Sequence, residues 1–181
     1  MNFDPIKEKN KTNSSNIHPD LLAANKFAYE PSGLLYKNLV KEAESQQYGA
    51  SVFEMNNKLI KFRVGKITPT KIGQFVTLWK RIGDGDTMPH DLSDPVDFFV
   101  VSVRNGELLG QFVFPKLILF EKGIVSKEGK GGKRGIRIYP PWDITDSKQA
   151  RGTQAWQLKY FFEIKSNTAI DASIIKKLFQ C

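Results

Sequence analysis

Apolar and polar residues alternate through residues 50–67, and this period of two predicts a β-hairpin with its turn at Asn56 and Asn57. The second arm places apolar side chains on one face and basic side chains on the other, in the order Ile60, Lys61, Phe62, Arg63, Val64. Continuing the alternation puts Lys66, at the end of this strand, on the side of the core residues.

A helical pattern follows directly. Thr68 is a favourable N-cap and Pro69 fits the first helical position. An apolar face recurs at helical spacing through Ile72, Phe75, Val76 and Trp79. We therefore expect a helix from Thr68 to about residue 81. Further helices are expected over residues 20–26, from Pro31 to Gly49, over one or two turns in 115–122, and over residues 146–162 and 167–179.

Residues 97–103 are apolar on both faces, which predicts a strand in the centre of a sheet. Asn105-Gly106 favours a type I′ turn into a second strand over 108–114, and residues 135–139 form another short strand. The order of elements predicts one α/β domain over residues 17–181, with a mixed sheet flanked by helices. Residues 1–16 are polar and are expected to form a disordered tail.

Charge is sorted along the chain. The 181 residues include 27 Lys and Arg against 19 Asp and Glu, a formal charge of +8. Residues 57–81 hold seven basic side chains and no acid, and residues 122–137 hold six with one acid. A basic balance of this kind favours anionic partners, nucleic acid among them.

Other features of the composition exclude several classes of protein. The single cysteine, Cys181, provides no disulfide framework, and two histidines are too few for the usual zinc or Ser-His-Asp sites. No apolar run is long enough to be a signal peptide or a membrane span, so we expect a cytoplasmic protein without a membrane partner. The sequence leaves the oligomeric state open.

The expected start of the helix at Thr68 provides a candidate anion site. Free backbone N–H groups and the positive end of the helix dipole would meet the side chains of Lys66, Thr68, Thr70 and Lys71 there. The alternative is that Thr68 only caps the helix and the lysines are solvated. We expect Lys116, Arg134 and Arg137 to converge on the same site and to complete the set of anion-binding residues.

The segment KQARGTQAWQLKYFF carries aromatic side chains around most of a helix, which is typical of an element buried from several sides. Gln154 and Gln157 on that helix require hydrogen-bond partners. Either these amides bond to neighbouring backbone groups, or they contact a ligand or base together with Lys148, Tyr139 and Trp142.

Five segments together resemble the MepB family over roughly residues 33–163: FRVGKITPTKIGQFVTLWKR, SDPVDFFVV, GQFVFPKLIL, GGKRGIRIYPPW and QARGTQAWQLKYFF. The resemblance implies a small bacterial protein with a restriction-endonuclease-like α/β fold. Some members of this family are encoded beside a multidrug efflux pump and its regulator.

Nucleases of that fold hold Mg²⁺ with two carboxylates and use a nearby lysine. The resemblance implies Glu54 and Asp97 as the carboxylates and Lys66 or Lys116 as the lysine; no other metal site is expected. The acid that usually stands two positions before the lysine is absent, because Val64 and Phe114 occupy those positions. This departure favours a protein that binds without cleaving.

Three functions follow as hypotheses. The first is binding of nucleic acid, or of another phosphate-bearing anion, through a basic cleft, in a degenerate nuclease. The second is a Mg²⁺-dependent nuclease that uses Glu54, Asp97 and Lys66. The third is a small-molecule effector-binding protein associated with efflux or resistance.

Overall fold

A six-stranded sheet forms the centre of the computed structural model, which describes residues 17–168 and 170–180. The eleven strands of these residues, in chain order, are β1 (Tyr36–Lys41), β2 (Ser51–Met55), β3 (Lys58–Val64), β4 (Lys66–Thr68), β5 (Lys71–Thr77), β6 (Trp79–Arg81), β7 (Thr87–Pro89), β8 (Phe98–Asn105), β9 (Leu108–Pro115), β10 (Gly135–Ile138) and β11 (Phe161–Glu163). The four α-helices are α1 (Pro19–Ala24), α2 (Lys116–Glu121), α3 (Lys148–Gln157) and α4 (Ala172–Leu178).

The large sheet has the strand order β1-β2-β3-β8-β9-β11. All of its neighbouring strands pair antiparallel except β3 and β8, which pair in parallel from Ile60 opposite Phe98 to Val64 opposite Ser102. The mixed sheet and its flanking helices confirm the predicted mixed α/β domain. The predicted tail of residues 1–16 lies outside the described residues.

Each face of the large sheet covers a separate core. One face packs against α1, α4 and the helical turns between α1 and β1, with Phe62, Val100 and Phe179 fully or almost fully buried. The other face packs against a small sheet of order β10-β5-β4, together with α2 and α3. Val101, Phe114 and Ile138 are buried in this second core. The small sheet therefore has an inner face on the core and an outer face that is free to carry a site.

Several predicted elements are confirmed. The β2–β3 hairpin turns at Asn56 and Asn57, which have positive φ of 51° and 58°. Strand β8 lies in the middle of the sheet, and α2 and β10 are present. The β8–β9 hairpin also forms, but its turn residues are Gly106 and Glu107, with positive φ at Gly106 only. This geometry fits a type II′ turn, so the predicted type I′ turn is wrong.

The helix predicted from Thr68 to residue 81 is wrong. Thr68 lies in β4, Pro69 and Thr70 form a turn, and the chain returns as β5. Along β5 only Val76 and Gln74 are directed to the core, while Phe75 and Thr77 are half-buried on the other face. The β-branched residues of this segment suit such a strand.

The helix predicted from Pro31 to Gly49 is also wrong. Only two short 3-10 turns form there, Glu30–Ser32 and Gln46–Tyr48, and β1 lies between them and pairs with β2. Leu35, the first residue of the supposed apolar face, is 69% exposed. The helix predicted over residues 20–26 is present, because α1 continues as a π-helical turn, Asn25–Tyr29. The helices predicted over 146–162 and 167–179 are shorter: α3 ends at Gln157, after which the chain continues to β11 beside β9, and α4 spans Ala172–Leu178.

Among the described residues, no helix is long and apolar enough to cross a bilayer.

Candidate functional site

A cleft of about 510 Å³ opens between the small sheet and α3. Four basic side chains line it, Lys71, Lys122, Lys133 and Arg137, and none of the described residues in its lining is acidic. Phe75, Tyr139 and Trp156 supply aromatic surface to the same lining. We call this feature the basic cleft.

A row of three side chains, one from each strand, crosses the outer face of the small sheet. Lys66 of β4 and Arg137 of β10 each lie opposite Phe75 of β5. Residues opposite each other in antiparallel strands share a face, so the two cations flank the phenyl ring. The Lys66 ammonium group also lies 4.8 Å from the centre of the Tyr48 ring, within range of a cation–π interaction.

Arg137 is held by the backbone of β5. Its Nη1 atom donates to the carbonyl oxygens of Lys71, Ile72 and Gly73 at 3.3, 3.3 and 3.0 Å. A guanidinium group has five N–H donors, so this anchoring leaves others for a ligand. The charge of Arg137 is therefore fixed at one wall of the basic cleft.

Two glycines allow the aromatic rings to lie against the small sheet. A Cβ atom on Gly73 would come within 2.7 Å of the Tyr139 ring, and Gly73 has a φ of +84° that disfavours other residues. A Cβ atom on Gly135 would lie 2.6 Å from the Phe75 ring. Glycine at both positions thus provides the room for the ring faces of Tyr139 and Phe75 at the cleft.

Helix α3 forms the opposite wall. The Ser147 side chain caps it by accepting a hydrogen bond from the Ala150 amide at 3.0 Å. Near its end, Gln157 accepts from the Tyr139 amide at 2.9 Å and donates to the Arg137 carbonyl at 3.0 Å. The buried Gln157 amide therefore fastens α3 to β10 and sets the width of the cleft.

Loop 126–132 precedes the strand that carries Arg137, and Asp91 holds this loop. The Asp91 carboxylate accepts hydrogen bonds from the Gly129 amide at 3.1 Å, from the Ser93 amide at 3.1 Å and from the Ser126 hydroxyl at 2.7 Å. The hydrogen bond from Gly129, followed by those from Ser93 and Ser126, keeps the pKa of Asp91 well below its usual range. An ionised Asp91 therefore orders the segment leading to Lys133.

The anion site predicted at a helix start does not exist as predicted, since residues 68–81 contain no helix. Lys71 and Arg137 nevertheless line the basic cleft, and Lys66 lies on the same face of the small sheet. Thr68 has a buried hydroxyl group without a hydrogen-bond partner in the described residues, and Thr70 is exposed in the turn.

Two cations of the predicted set lie elsewhere. The Lys116 ammonium group donates to the carbonyl oxygens of Leu92 and Asp94, both at 2.7 Å. It therefore holds the loop of residues 92–94 and does not line the cleft. Arg134 donates through Nε to the Thr87 carbonyl at 2.8 Å. Both side chains are absent from the lining of the cleft.

The residues expected to contact a ligand or base divide in the same way. Tyr139 and Gln157 line the cleft, and Lys148 is exposed on the first turn of α3. Gln154 donates to the Pro140 and Asp143 carbonyl oxygens at 2.9 Å, and Trp142 packs edge-on against Phe161. For Gln154 and Gln157 the structure matches the alternative in which the amides bond to backbone groups.

The three residues of the nuclease hypothesis do not meet. Glu54 lies opposite Leu59 in the sheet, and the Asp97 carboxylate accepts from the Leu59 amide at 2.8 Å, so one strand separates the two acids. Lys66 lies beyond the other end of β3. Lys116 is next to Asp97 in the backbone, but its ammonium group is engaged by the carbonyls described above. The described residues contain no group of three His, Cys, Asp or Glu that could hold a metal.

Sequence reasoning missed part of the cleft. Lys122 and Lys133 belong to the basic block of residues 122–137, but nothing in the pattern indicated that they face Phe75 and α3. For Trp156, the aromatic pattern predicted only that the residue lies in a buried helix. In the structure it lines the cleft, with the Lys122 ammonium group 5.5 Å from its ring.

Comparison with known proteins shows that this chain is similar to one family. Residues 42–163 match the model of the MepB-like family. The crystal structure of MepB superposes on this chain with a TM-score of 0.70 at 34% sequence identity, and the match covers 82% of this chain and 96% of that one. A comparison with curated proteins found no match.

Proposed function

Given that this chain belongs to the MepB-like family, we propose that it binds nucleic acid, or another phosphate-bearing anion, in the basic cleft. The observation that carries the proposal is the lining: four basic side chains and no acid among the described residues that form it. Phosphate groups dominate the affinity of nucleic-acid complexes, because cationic side chains release counterions from the backbone.

The aromatic lining favours nucleic acid over a simple anion. Phe75, Tyr139 and Trp156 offer ring surface among the cations. Proteins that bind single strands without sequence preference combine a basic groove with aromatic residues on which bases stack. The alternation of cations and rings across the small sheet matches this requirement.

The test is binding of fluorescently labelled DNA and RNA oligonucleotides, followed by anisotropy as salt is raised. Lys122→Ala with Lys133→Ala removes two exposed cations from the cleft. We expect weaker binding to all sequences and a salt slope that falls by about one unit for each lysine removed.

The matched control removes the same charge elsewhere. Lys176→Ala with Lys177→Ala changes two exposed residues of α4, which packs on the opposite face of the large sheet. Equal losses in the two double variants would show that affinity follows net charge and not the cleft. Negligible binding of every oligonucleotide at low salt contradicts the proposal.

A restriction-endonuclease-like ancestry remains part of this proposal, and the mixed sheet with its single parallel pair, β3 and β8, is consistent with it. The separation of Glu54, Asp97 and Lys66 favours binding without cleavage. A Mg²⁺-dependent nuclease would require cleavage that Asp97→Asn abolishes while binding is kept.

A phosphorylated small molecule is the second candidate ligand. The volume of the cleft, about 510 Å³, lies within the range of small-ligand sites. Isothermal titration with mononucleotides distinguishes the two candidates. Saturable binding of a mononucleotide with a weak salt dependence favours the small ligand, since few phosphates are then neutralised.

A further inference from the structure

A cluster of buried and half-buried ionisable side chains lies beside the large sheet, apart from the basic cleft. Lys61 and Arg63 extend from β3 on the face opposite Ile60 and Phe62. Both form ion pairs with Glu42, and the Arg63 side chain is only 3% exposed. Further along, Asp94 forms an ion pair with Lys80 and contacts His90 Nδ1 at 3.1 Å. We call these six residues the ionic cluster.

Positive charge exceeds negative charge in the ionic cluster. Lys61, Arg63 and Lys80 are cationic, whereas Glu42 and Asp94 are the only two carboxylates paired with them in the described part of the chain. Burial, and then the charge of Lys61, lower the pKa of His90 to about 4, despite the opposing effect of Asp94. With a neutral His90 the cluster therefore keeps one uncompensated positive charge.

One buried donor of the cluster has no partner. Arg63 Nη1 donates to the Phe62 carbonyl at 2.9 Å and contacts Glu42. Arg63 Nε is buried and has no hydrogen-bond partner in the described residues. An unsatisfied buried donor on a cation costs free energy, so native structures normally provide it with an acceptor. Nε and Nη2 together form the side-on fork with which arginine binds carboxylate and phosphate groups.

A pocket of about 260 Å³ opens onto this arginine. Its cationic lining consists of Lys61, Arg63, Lys80 and Arg81, and its acids are Glu42 and Glu44. Glu44 is paired with Arg81 and Glu42 with two cations, so neither carboxylate has charge left over for a metal ion. The space far exceeds the roughly 30 Å³ of one water molecule.

We propose that this pocket binds a small oxyanion, a phosphate or carboxylate group, on the Nε–Nη2 edge of Arg63, with Lys61 and Lys80 supplying further charge. The anion accepts from the unsatisfied Nε and balances the excess charge of the ionic cluster. The site is separate from the basic cleft, with which it shares no lining residue, so its ligand need not be nucleic acid.

The two histidines, His90 and His18, allow binding of an anion in this pocket to be measured locally. A bound anion would offset the charges of Lys61 and Arg63, so it raises the pKa of His90, by roughly one unit for an opposite charge within a few ångströms. Sodium sulfate is the tetrahedral probe and sodium trifluoroacetate the carboxylate probe, because neither titrates in this range. The imidazole signals of His90 are followed by NMR against pH, with sodium chloride at equal ionic strength as reference.

His18 serves as the internal control, because its charged neighbours are Asp20 and Arg104. We expect a saturable upward shift of the His90 pKa and no shift at His18 beyond that in chloride. The probe with the larger effect identifies the class of oxyanion. Equal behaviour of His90 in sulfate, trifluoroacetate and chloride overturns the proposal.

Two variants locate the effect at the fork. Arg63→Lys keeps the charge but removes Nε and the fork, and we expect it to abolish the shift. Should this variant fail to fold, Ala43→Phe fills the pocket from an exposed position in its lining and leaves the core intact. A sulfate-dependent shift that persists in Ala43→Phe contradicts the proposal. Lys122→Ala with Lys133→Ala keeps the shift, because those residues line only the cleft.

Discussion

At the scale of single residues, Gly73 shows how closely the backbone of the small sheet approaches its aromatic cover. Its φ is +84°, and a Cβ atom on it would lie 2.7 Å from the Tyr139 ring and 2.8 Å from the Ile138 carbonyl oxygen, so both factors oppose a side chain. We expect Gly73→Ala to lower the free energy of unfolding by about 1–3 kcal/mol, as measured by urea denaturation.

Gly152 provides the matched control for that substitution. It lies within α3, and a Cβ atom there would meet nothing within 4 Å. Gly152→Ala is expected to raise the free energy of unfolding by about 0.5–1 kcal/mol through helix propensity. Similar effects at both positions would mean that the close approach of Tyr139 does not constrain Gly73.

His90 gives the protein a specific pH dependence. Burial and the charge of Lys61 lower its folded-state pKa to about 4, whereas an unfolded histidine titrates near 6.5. Between these values the unfolded chain binds the extra proton, so stability is complete above about pH 6.5 and is lost as the pH falls towards 4. The loss amounts to about 3 kcal/mol at most.

Urea denaturation at a series of pH values checks this prediction. Burial of Glu42 opposes its ionisation, but the charges of Arg63 and Lys61 outweigh that effect and lower its pKa, so its contribution is lost only below its ordinary range. The window between about pH 6.5 and 5 therefore belongs mainly to the two histidines, because burial lowers the pKa of His18 as well. His90→Gln should reduce the slope there and leave the part that His18 contributes, and an unchanged slope would contradict the assignment.

At the scale of elements, the sequence predicts strands well where one period dominates. The β2–β3 hairpin and the central β8 follow from alternation and from a continuous apolar run, respectively. The prediction of a helix over residues 68–81 was wrong because the spacing of Ile72, Phe75 and Val76 fits a helix as well as a strand. The pairing of β5 with both β4 and β10 decided the outcome, and such long-range pairing is not visible in a local pattern.

Only part of the candidate site could be predicted from the sequence. A basic cleft with Lys71, Arg137, Tyr139 and Gln157 was expected, and these residues do share one cavity. Lys116 and Arg134 could not be excluded beforehand, because their carbonyl partners, on the loop of residues 92–94 and on β7, are 22 to 47 residues away in the chain. Charge in the sequence identifies candidate residues, but only tertiary contacts show which charges are already engaged.

The loop of residues 126–132 illustrates how one carboxylate orders an element. Asp91→Ala removes the carboxylate that accepts hydrogen bonds from the Gly129 amide and the Ser126 hydroxyl. We expect faster hydrogen exchange at Gly129, because its amide loses a protecting hydrogen bond. NMR or mass-spectrometric exchange measures this. Asp84→Ala, an exposed acid in another loop, serves as control, and equal exchange in both variants would contradict the role of Asp91.

At the scale of the whole molecule, the large sheet separates two cores and leaves the small sheet to present its outer face. Lys66, Phe75 and Arg137 lie on that face, and α3 closes one side of it. The arrangement alternates charge with ring surface, and this predicts a preference for single strands, whose bases are free to stack. Duplex DNA offers the cleft only its phosphates.

Trp156 reports on this preference. Stacking of a base on its ring should quench its fluorescence, and single-stranded DNA should quench more strongly than a duplex at equal phosphate concentration. Base–aromatic stacking contributes about 1–3 kcal/mol per base, so Trp156→Leu should weaken single-strand binding by roughly 5-fold to 150-fold. Trp142→Leu, at a ring that packs on Phe161 outside the cleft, is the matched control. The stacking mechanism is contradicted if single-stranded and duplex DNA bind with equal affinity and the quenching persists in Trp156→Leu. In that case phosphate contacts alone account for binding.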